Sequence, residues 1–270
     1  MLRSGSCWRR LAKLKNEMGS EAMIAWNILV HAVMIVIRNF GVAVRISAVP
    51  FVILSVITTM NFASSFGSVT ATSQEHTQSD FLSALMLLPT AFLTFWIVVG
   101  WHRFILLEER PRSIIPPFHG SRVFAYFLTG LVIYVAAAFV VLVLLVPLSM
   151  LGAGIGLRAG LNVVAIAVMV AVGLVFARLI VLLPAAAIGH RLGVSGAWEA
   201  TIGSTGTFLL LGFLLMGAGM VMAVTALVII VFPPALLVIQ IIYQWITMIV
   251  GASILTTLYG HYVEKRELVV

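Results

Sequence analysis

Six apolar stretches, each at least as long as a lipid bilayer is thick, are the feature that most constrains the fold of this chain. They cover residues 41–63, 81–107, 123–151, 161–188, 207–232 and 235–259. An α-helix needs about 20 apolar residues to cross the hydrocarbon core. Because backbone polar groups in lipid must be hydrogen-bonded internally, such segments form helices. The sequence therefore predicts an all-α fold, a polytopic transmembrane helical bundle with six spans.

The low charge of the chain supports the same conclusion. Only 9% of its residues are charged and 62% are hydrophobic, with a mean hydropathy of +1.16, whereas about 25% of the residues in a soluble domain are charged. The net charge of +7 comes from basic residues scattered between the apolar stretches. That pattern is typical of helix ends that meet anionic headgroups. We therefore expect membrane lipids as partners, and no nucleic acid.

A seventh apolar segment, residues 21–40, carries a polar stripe. Ser20, Asn27, His31 and Arg38 are spaced by seven, four and seven residues, which places them on one side of an α-helix with apolar residues opposite. Such a helix either lies flat in the cytoplasmic interface or forms a short span whose polar face turns inward. The stripe alone leaves both arrangements open.

The distribution of basic residues favours the interfacial arrangement. With six spans, Lys and Arg gather in the N-terminal tail, after the second and fourth spans and at the C-terminus, while the opposite side holds only Arg158. Positively charged loops stay in the cytoplasm, and a seventh span would move the basic tail outside. The sequence therefore predicts a bacterial inner-membrane protein with both ends cytoplasmic. Its regions are a basic tail 1–20, an interfacial amphipathic helix 21–40, a six-span domain 41–262 and a C-terminus 263–270.

Short motifs that recur along the chain indicate an internal repeat. Ala-Trp pairs precede the first and fifth spans, and Gly-His motifs recur at the ends of the second, fourth and sixth: Ala25-Trp26, Ala197-Trp198, Gly100-Trp101-His102-Arg103, Gly189-His190-Arg191 and Gly260-His261-Tyr262. Membrane folds are often built from repeats. A three-fold array of helical hairpins is therefore one interpretation, and chance recurrence of short motifs is the other.

Arg178 is a charge inside the fourth apolar stretch. A charge at the centre of a membrane helix costs about 2.5–3.5 kcal/mol on insertion scales, so it should face a partner, a cavity or the headgroups. Glu199, Glu108 and a lipid phosphate are the candidate partners. The alternative is that Arg178 lies near the cytoplasmic surface and extends its side chain to it. Pro184, six residues later, permits a kink in this helix.

The end of the second apolar stretch is the next candidate. His102 and Glu109 are seven residues apart and share a helix face, so a proton relay or a metal site is one interpretation. The other is an interfacial belt, with Trp101 and His102 at the headgroups, Arg103 on phosphate, and Glu108 and Glu109 paired with neighbouring arginines. The lack of a second His or Cys at ligand spacing favours the belt.

The sequence contains no nucleophile–base pattern, phosphate-binding loop or carboxylate within the six apolar stretches that could couple a proton. We therefore expect a non-enzymatic protein with no cofactor and no metal. The candidate functional residues are Arg178, His102, Arg103, Glu108, Glu109 and Glu199, and the candidate interfacial residues are Trp26, Asn27, His31, Arg38, Trp101 and Trp198.

The motif Trp101-His102-Arg103-Phe104, followed by Leu106-Leu107-Glu108-Glu109 and Pro111, resembles a group of functionally unassigned alphaproteobacterial six-helix inner-membrane proteins. It is similar, more distantly, to YciC-like proteins and to the membrane domain of some glycerophosphodiester phosphodiesterases. The likeness covers most of the membrane region. The phosphodiesterase catalytic domain has no counterpart here, so the resemblance implies the membrane fold and transfers no catalytic residue.

Two functions are compatible with these features. The first is an accessory or assembly subunit of a membrane complex, or a factor in envelope and lipid homeostasis, which binds lipids, anionic headgroups at the cytoplasmic rim and another integral membrane protein. The second is a small transporter or channel, which the repeat, Arg178 and the prolines of the first four spans favour.

Overall fold

The computed structural model describes residues 4–67, 73–111, 113, 115–155, 158–229 and 233–268, and within these every regular element is a helix. The elements are α1 (Ser4–Arg38), α2 (Phe40–Gly67), α3 (Ser73–Leu107), α4 (Gly120–Ile155), α5 (Arg158–Ala177), α6 (Leu182–Ile188), α7 (Val194–Ala200), α8 (Thr205–Ile229) and α9 (Pro233–Tyr262). The predicted all-α class is confirmed.

Seven helical stretches in the described part of the chain are long and apolar enough to cross a membrane. Six correspond to the predicted spans and the seventh, Gly19–Arg38, lies in α1. The chain is therefore a multi-pass membrane protein. The predicted stretch 207–232 ends in residues 230–232, which lie outside the described residues, as does the loop 68–72.

The fourth predicted span is broken where the sequence combines Arg178 and Pro184. Residues 178–181 form turns, in which the amide of Leu179 bonds the carbonyl of Phe176 at 2.9 Å and that of Leu183 bonds Ile180 at 3.0 Å. Proline has no N–H to offer the carbonyl four residues earlier. The carbonyl of Ile180 therefore accepts from Leu183 instead, which tightens the turn between α5 and α6. The predicted kink is present as a full break.

Helix α9 links much of the bundle, since it packs against α1, α2, α3, α6 and α8. One core cluster joins Val36, Ile46, Ile97 and Ile249, and a second is centred on Leu258. By contrast, much of the second half of α4 and of α8 presents exposed apolar side chains, including Phe139, Leu142, Met150, Met216, Met220 and Val224. Side chains of this kind are suited to contact with lipid.

Helix α1 is a long helix that joins this packing. Its buried residues are spaced by three, four and four positions, which is one face of a helix: Ala25, Ile28, Ala32 and Val36. They face α8 and α9, while Trp26 and Ile37 on another face are 56% and 61% exposed. The polar stripe of Asn27 and His31 is half-buried between these two apolar faces. The predicted helix is confirmed, and it extends back to Ser4 through most of the predicted tail.

Arginines gather where α3, α6 and α9 end and α4 and α8 begin, a region called here the basic end. Contacts link these termini directly, because Arg103 of α3 donates to the carbonyl of Ala187 at the end of α6 over 3.3 Å. Thr207 near the start of α8 donates to the carbonyl of Glu21 of α1 over 3.4 Å. Helix α1 therefore docks on the bundle at its basic end.

Candidate functional site

Trp101 and His102 lie inside the bundle, between α3 and α9. Both side chains are fully buried. The indole Nε1 of Trp101 donates to Ser253 Oγ at 2.8 Å, and His102 Nδ1 lies 2.7 Å from Thr256 Oγ1. The prediction that these two residues contact headgroups is therefore wrong. Trp101 Nε1 and His102 Nδ1 have hydroxyl partners on α9 instead of headgroups.

The Thr256 hydroxyl on α9 determines which ring nitrogen of His102 carries the proton. Thr256 Oγ1 donates its hydrogen to the carbonyl of Ala252 at 2.8 Å, so its lone pair accepts from the ring. This assigns the proton of the neutral imidazole to Nδ1 and leaves Nε2 as an acceptor. That Nε2 atom is buried and has no hydrogen-bond partner among the described residues.

The structure does not bring His102 and Glu109 together, which contradicts the interpretation of the two as a relay or metal site. Glu109 binds Arg103 through both carboxylate oxygens, at 2.8 and 2.5 Å, and its Oε2 lies 3.7 Å from His119 Nε2. Glu108 follows the last residue of α3, has a positive φ of 57° and is exposed. The Arg103–Glu109 pair matches the predicted belt of charges, and it fastens the end of α3 to α6 because Arg103 also bonds Ala187.

Arg178 lies at the end of α5, against the start of α8. Its Nη2 donates to Thr205 Oγ1 at 2.5 Å, and the guanidinium carbon lies 4.6 Å from the centre of the Trp198 ring. The predicted carboxylate partners, Glu199 and Glu108, make no ion pair with it. Because α5 has 20 residues, about 30 Å of rise, Arg178 is a full hydrocarbon thickness from the other end of this helix.

Apart from the buried Trp101, the candidate interfacial residues divide into two groups. Trp26, Trp198 and Arg38 are exposed, and Asn27 and His31 are half-buried. Each tryptophan follows a fully buried alanine, since Ala25 and Ala197 are both 0% exposed. The two Ala-Trp pairs thus have the same placement, alanine inward and tryptophan outward.

A lateral groove of about 620 Å³ lies between α4 and the broken α5–α6 segment and is called here the α4–α6 groove. Its walls are mostly apolar, and its lining residues are Leu128, Thr129, Val132, Ile133, Ala136, Phe176, Leu179, Leu182, Ala185, Ala186, His190, Leu192, Gly193 and Val194. The break at residues 178–181 contributes one wall. Sequence analysis predicted the kink but not the groove, since a groove depends on how two distant helices pack.

His190 lines the groove, and two arginines lie next to that residue, Arg122 through its contact with Gly189 and Arg191 along the chain. The Nδ1 of His190 lies 2.7 Å from the hydroxyl of Tyr259. The guanidinium of Arg122 lies directly over the Cα of Gly189, whose φ of 83° only glycine adopts easily. Arg191 is exposed beside them. Neither arginine pairs with a carboxylate of the described side chains, and no acidic residue lines the groove.

A smaller pocket of about 350 Å³ lies among α2, α3, α4 and α9 and is called here the mid-bundle pocket. Its lining residues are Leu54, Thr94, Val98, Tyr126, Gln244, Thr247, Met248, Gly251, Ala252 and Leu255. Polar but uncharged side chains thus line a pocket inside an otherwise apolar bundle. The signal in the sequence was the helical spacing of Gln244, Thr247 and Gly251 on one side of α9.

Among the described residues, no group of three or more His, Cys, Asp or Glu side chains is placed to hold a metal ion. Comparison with protein-family models, with curated proteins and with solved structures finds no match for this chain. The likeness to YciC-like proteins stays a prediction.

Proposed function

We propose that this protein is a non-enzymatic integral membrane protein that binds anionic phospholipid in the α4–α6 groove. We place it in a bacterial inner membrane, where it acts in envelope lipid homeostasis or as an accessory subunit of a membrane complex. The proposal rests on one observation: the apolar α4–α6 groove lies next to Arg122 and Arg191, and neither arginine pairs with a carboxylate of the described side chains.

The two parts of the groove match the two parts of a phospholipid. Acyl chains fit against Val132, Ile133 and Phe176, which offer only carbon to the groove. The phosphate would meet Arg122 and His190, since charge-assisted bonds from guanidinium to phosphate are among the strongest available. Chain burial gives little preference over bulk lipid, because lipid tails are equally apolar. Selectivity for anionic headgroups would therefore come mainly from Arg122, since an arginine near the membrane surface contributes about 1 kcal/mol.

Six spans with both ends cytoplasmic are the topology that we propose. Only Asn39 separates α1 from α2, whereas antiparallel helices need a connection of about two to five residues. Helix α1 packs instead on the end of α9 and the start of α8, at the basic end. This supports α1 as an interfacial helix that crosses the basic end, on the cytoplasmic side.

The three-fold repeat belongs to the same proposal. The shared placement of the Ala25-Trp26 and Ala197-Trp198 pairs supports it, since each pair lies on a helix that precedes an apolar span. Helix α7, of seven residues, would then be a shortened counterpart of α1.

A small transporter is the second candidate, and the broken α5–α6 helix together with the mid-bundle pocket favours it. Transporters commonly build midplane sites from broken helices. In this chain the break lies beside Arg178 at the basic end, away from the mid-bundle pocket on α9. Substrate-dependent flux in proteoliposomes would promote this candidate over a lipid-binding protein.

Photo-crosslinking tests the proposed site directly. The protein is reconstituted in nanodiscs with phosphatidylglycerol that carries a diazirine in one acyl chain, and the labelled peptides are mapped. We expect labels to concentrate in residues 128–136 and 176–186, and excess unlabelled phosphatidylglycerol to remove them while phosphatidylcholine does not. Uniform labelling of all lipid-facing helices, equally displaced by both lipids, would contradict the proposal.

A further inference from the structure

The mid-bundle pocket extends from near the basic end to deep in the bundle. Tyr126 is six residues after the start of α4, about 9 Å along the helix, whereas Thr94 is 13 residues before the end of α3, about 20 Å, and Gln244 is 18 residues before the end of α9, about 27 Å. The hydrocarbon core is about 30 Å thick. The exposed Thr247 connects the pocket to the lipid-facing surface. A molecule would therefore enter it sideways from the membrane.

The lining carries polar groups but no charge. An ion buried at this depth without a counter-charge would be strongly disfavoured. The four polar side chains, Thr94, Tyr126, Gln244 and Thr247, are all neutral. They lie among carbon-rich residues such as Leu54, Val98 and Leu255. The pocket thus suits a neutral amphipathic molecule and disfavours a charged headgroup.

Its hydrogen-bonding groups select among neutral molecules. The hydroxyls of Thr94 and Thr247 donate to carbonyls of their own helices, at 2.8 Å to Thr90 and 2.8 Å to Tyr243. Their hydrogens are therefore already engaged. The Tyr126 hydroxyl and the Gln244 side-chain amide make no hydrogen bond to any described residue, and Gln244 Oε1 is buried. A buried polar group of this kind costs about 1–3 kcal/mol unless a partner satisfies it.

We infer that the mid-bundle pocket binds a neutral lipid whose head carries both a hydroxyl and a carbonyl. The hydroxyl donates a hydrogen bond to Gln244 Oε1, which is buried without a partner among the described residues, and the carbonyl accepts one from the Tyr126 hydroxyl. A diacylglycerol has this chemistry and can keep its apolar chains in the bilayer, whereas a quinone has carbonyl oxygens but no hydrogen to donate. The mid-bundle pocket is separate from the α4–α6 groove, so this inference does not depend on phospholipid binding in the groove.

Two probes test this chemistry. The purified protein in nanodiscs is titrated with dioctanoylglycerol and, separately, with a short-chain benzoquinone, and saturable binding is followed by native mass spectrometry. We expect saturable binding of dioctanoylglycerol and binding of the quinone that is weaker by about tenfold or more, because the quinone cannot donate to Gln244 Oε1. Equal binding of the two probes, tighter binding of the quinone, or no saturable binding of dioctanoylglycerol would overturn the inference.

Matched variants locate the binding. We expect Tyr126→Phe and Gln244→Leu each to weaken it about tenfold, the equivalent of about 1.4 kcal/mol for one lost hydrogen bond. Tyr134→Phe is the control, because Tyr134 lies on the same helix, is 71% exposed and is not in the pocket lining. An equal effect of Tyr134→Phe and Tyr126→Phe would overturn the inference.

A pocket-filling variant covers the case in which a polar variant fails to fold. Gly251 lines the pocket, and a Cβ added there meets no atom within 4 Å. Because leucine also favours helix over glycine, Gly251→Leu should keep the fold and abolish binding of either probe. Undiminished binding by a folded Gly251→Leu protein would place the probe elsewhere and refute the assignment.

Discussion

Ser253 on α9 receives the indole hydrogen of Trp101 on α3 over 2.8 Å and gives its own hydrogen to the carbonyl of Ile249 at 2.9 Å. The Ser253 hydroxyl thus provides a hydrogen-bond partner for the Trp101 indole and is itself fully hydrogen-bonded, so neither side chain has an unpaired polar atom at this contact. The same arrangement joins α2 to α9, where Ser47 accepts from Trp245 at 2.8 Å and donates to its own helix. Since lipid gives little hydrophobic drive for helix association, such bonds help to specify which helices pack together.

Removal of the Ser253 hydroxyl should destabilise the bundle. Ser253→Ala leaves the buried Trp101 N–H without a partner, so we expect the free energy of unfolding to fall by about 1–3 kcal/mol. Reversible unfolding in mixed micelles measures this change. Ser149→Ala is the control, because Ser149 is exposed and bonds only its own helix. Equal, negligible losses for both variants would show that the Trp101–Ser253 bond does not stabilise the protein.

A side chain at position 189 should disturb the basic end. Gly189 has φ of 83°, and an added Cβ would overlap the guanidinium of Arg122. The left-handed conformation alone costs a residue with a Cβ about 1–2 kcal/mol. Gly189→Ala should therefore lower the thermal midpoint in detergent. Gly212→Ala, in open space inside α8, should leave it unchanged or raise it, since alanine favours helix. The reverse order of midpoints would contradict this geometry.

The contacts of Arg178 predict a modest, specific contribution to stability. Stacking on Trp198 is worth about 0.5–1 kcal/mol at an exposed site, and Arg178→Leu also removes the bond to Thr205. We expect normal membrane insertion and an unfolding free energy lower by about 1–2 kcal/mol. Arg178→Lys should lose less, because it keeps the charge but not the planar fork. If Arg45→Leu, at an exposed position on α2, costs as much, the contacts of Arg178 have no special role.

Topology can be tested with reporter fusions. Fusions after Asp80, Arg158 and Pro234 should report the external side, and fusions after Arg112, Arg191 and Val270 the cytoplasm, if the positive-inside rule governs six spans. A cysteine label on Ser20 decides the role of α1. Labelling of Ser20 from outside the cell would exclude the interfacial arrangement and make Gly19–Arg38 a seventh span.

The features that can be predicted from the sequence are those that depend on neighbouring residues. Long apolar runs gave the helices of the bundle, and Pro184 gave the break in the fourth span, because a missing N–H acts within one turn. The Arg103–Glu109 pair can also be predicted, because both residues lie in one short segment. The polar stripe of α1 follows from residue spacing, but spacing does not show which apolar face of that helix packs on α8 and α9.

The sites themselves depend on contacts that sequence spacing does not encode. Trp101 was predicted at the headgroups because tryptophan is common there, yet a serine 152 positions later supplies its hydrogen-bond partner inside the bundle. The sequence offers Arg178 two carboxylates, a lipid phosphate or the membrane surface, whereas in the structure it contacts an aromatic ring and a threonine hydroxyl. The lining of the mid-bundle pocket cannot be predicted from the charged residues, since its polar side chains are Thr, Tyr and Gln.

The most direct test of the lipid-binding account is the amount of anionic phospholipid that the purified protein retains, measured by native mass spectrometry after delipidation and titration with phosphatidylglycerol. Arg122→Gln should weaken retention about tenfold, since about 1.4 kcal/mol of charge-assisted bonding is lost. Arg45→Gln, which removes the same charge from α2 outside the groove, should change it less than about twofold. Equal retention by the wild type and Arg122→Gln, or equal losses in both variants, would contradict the account.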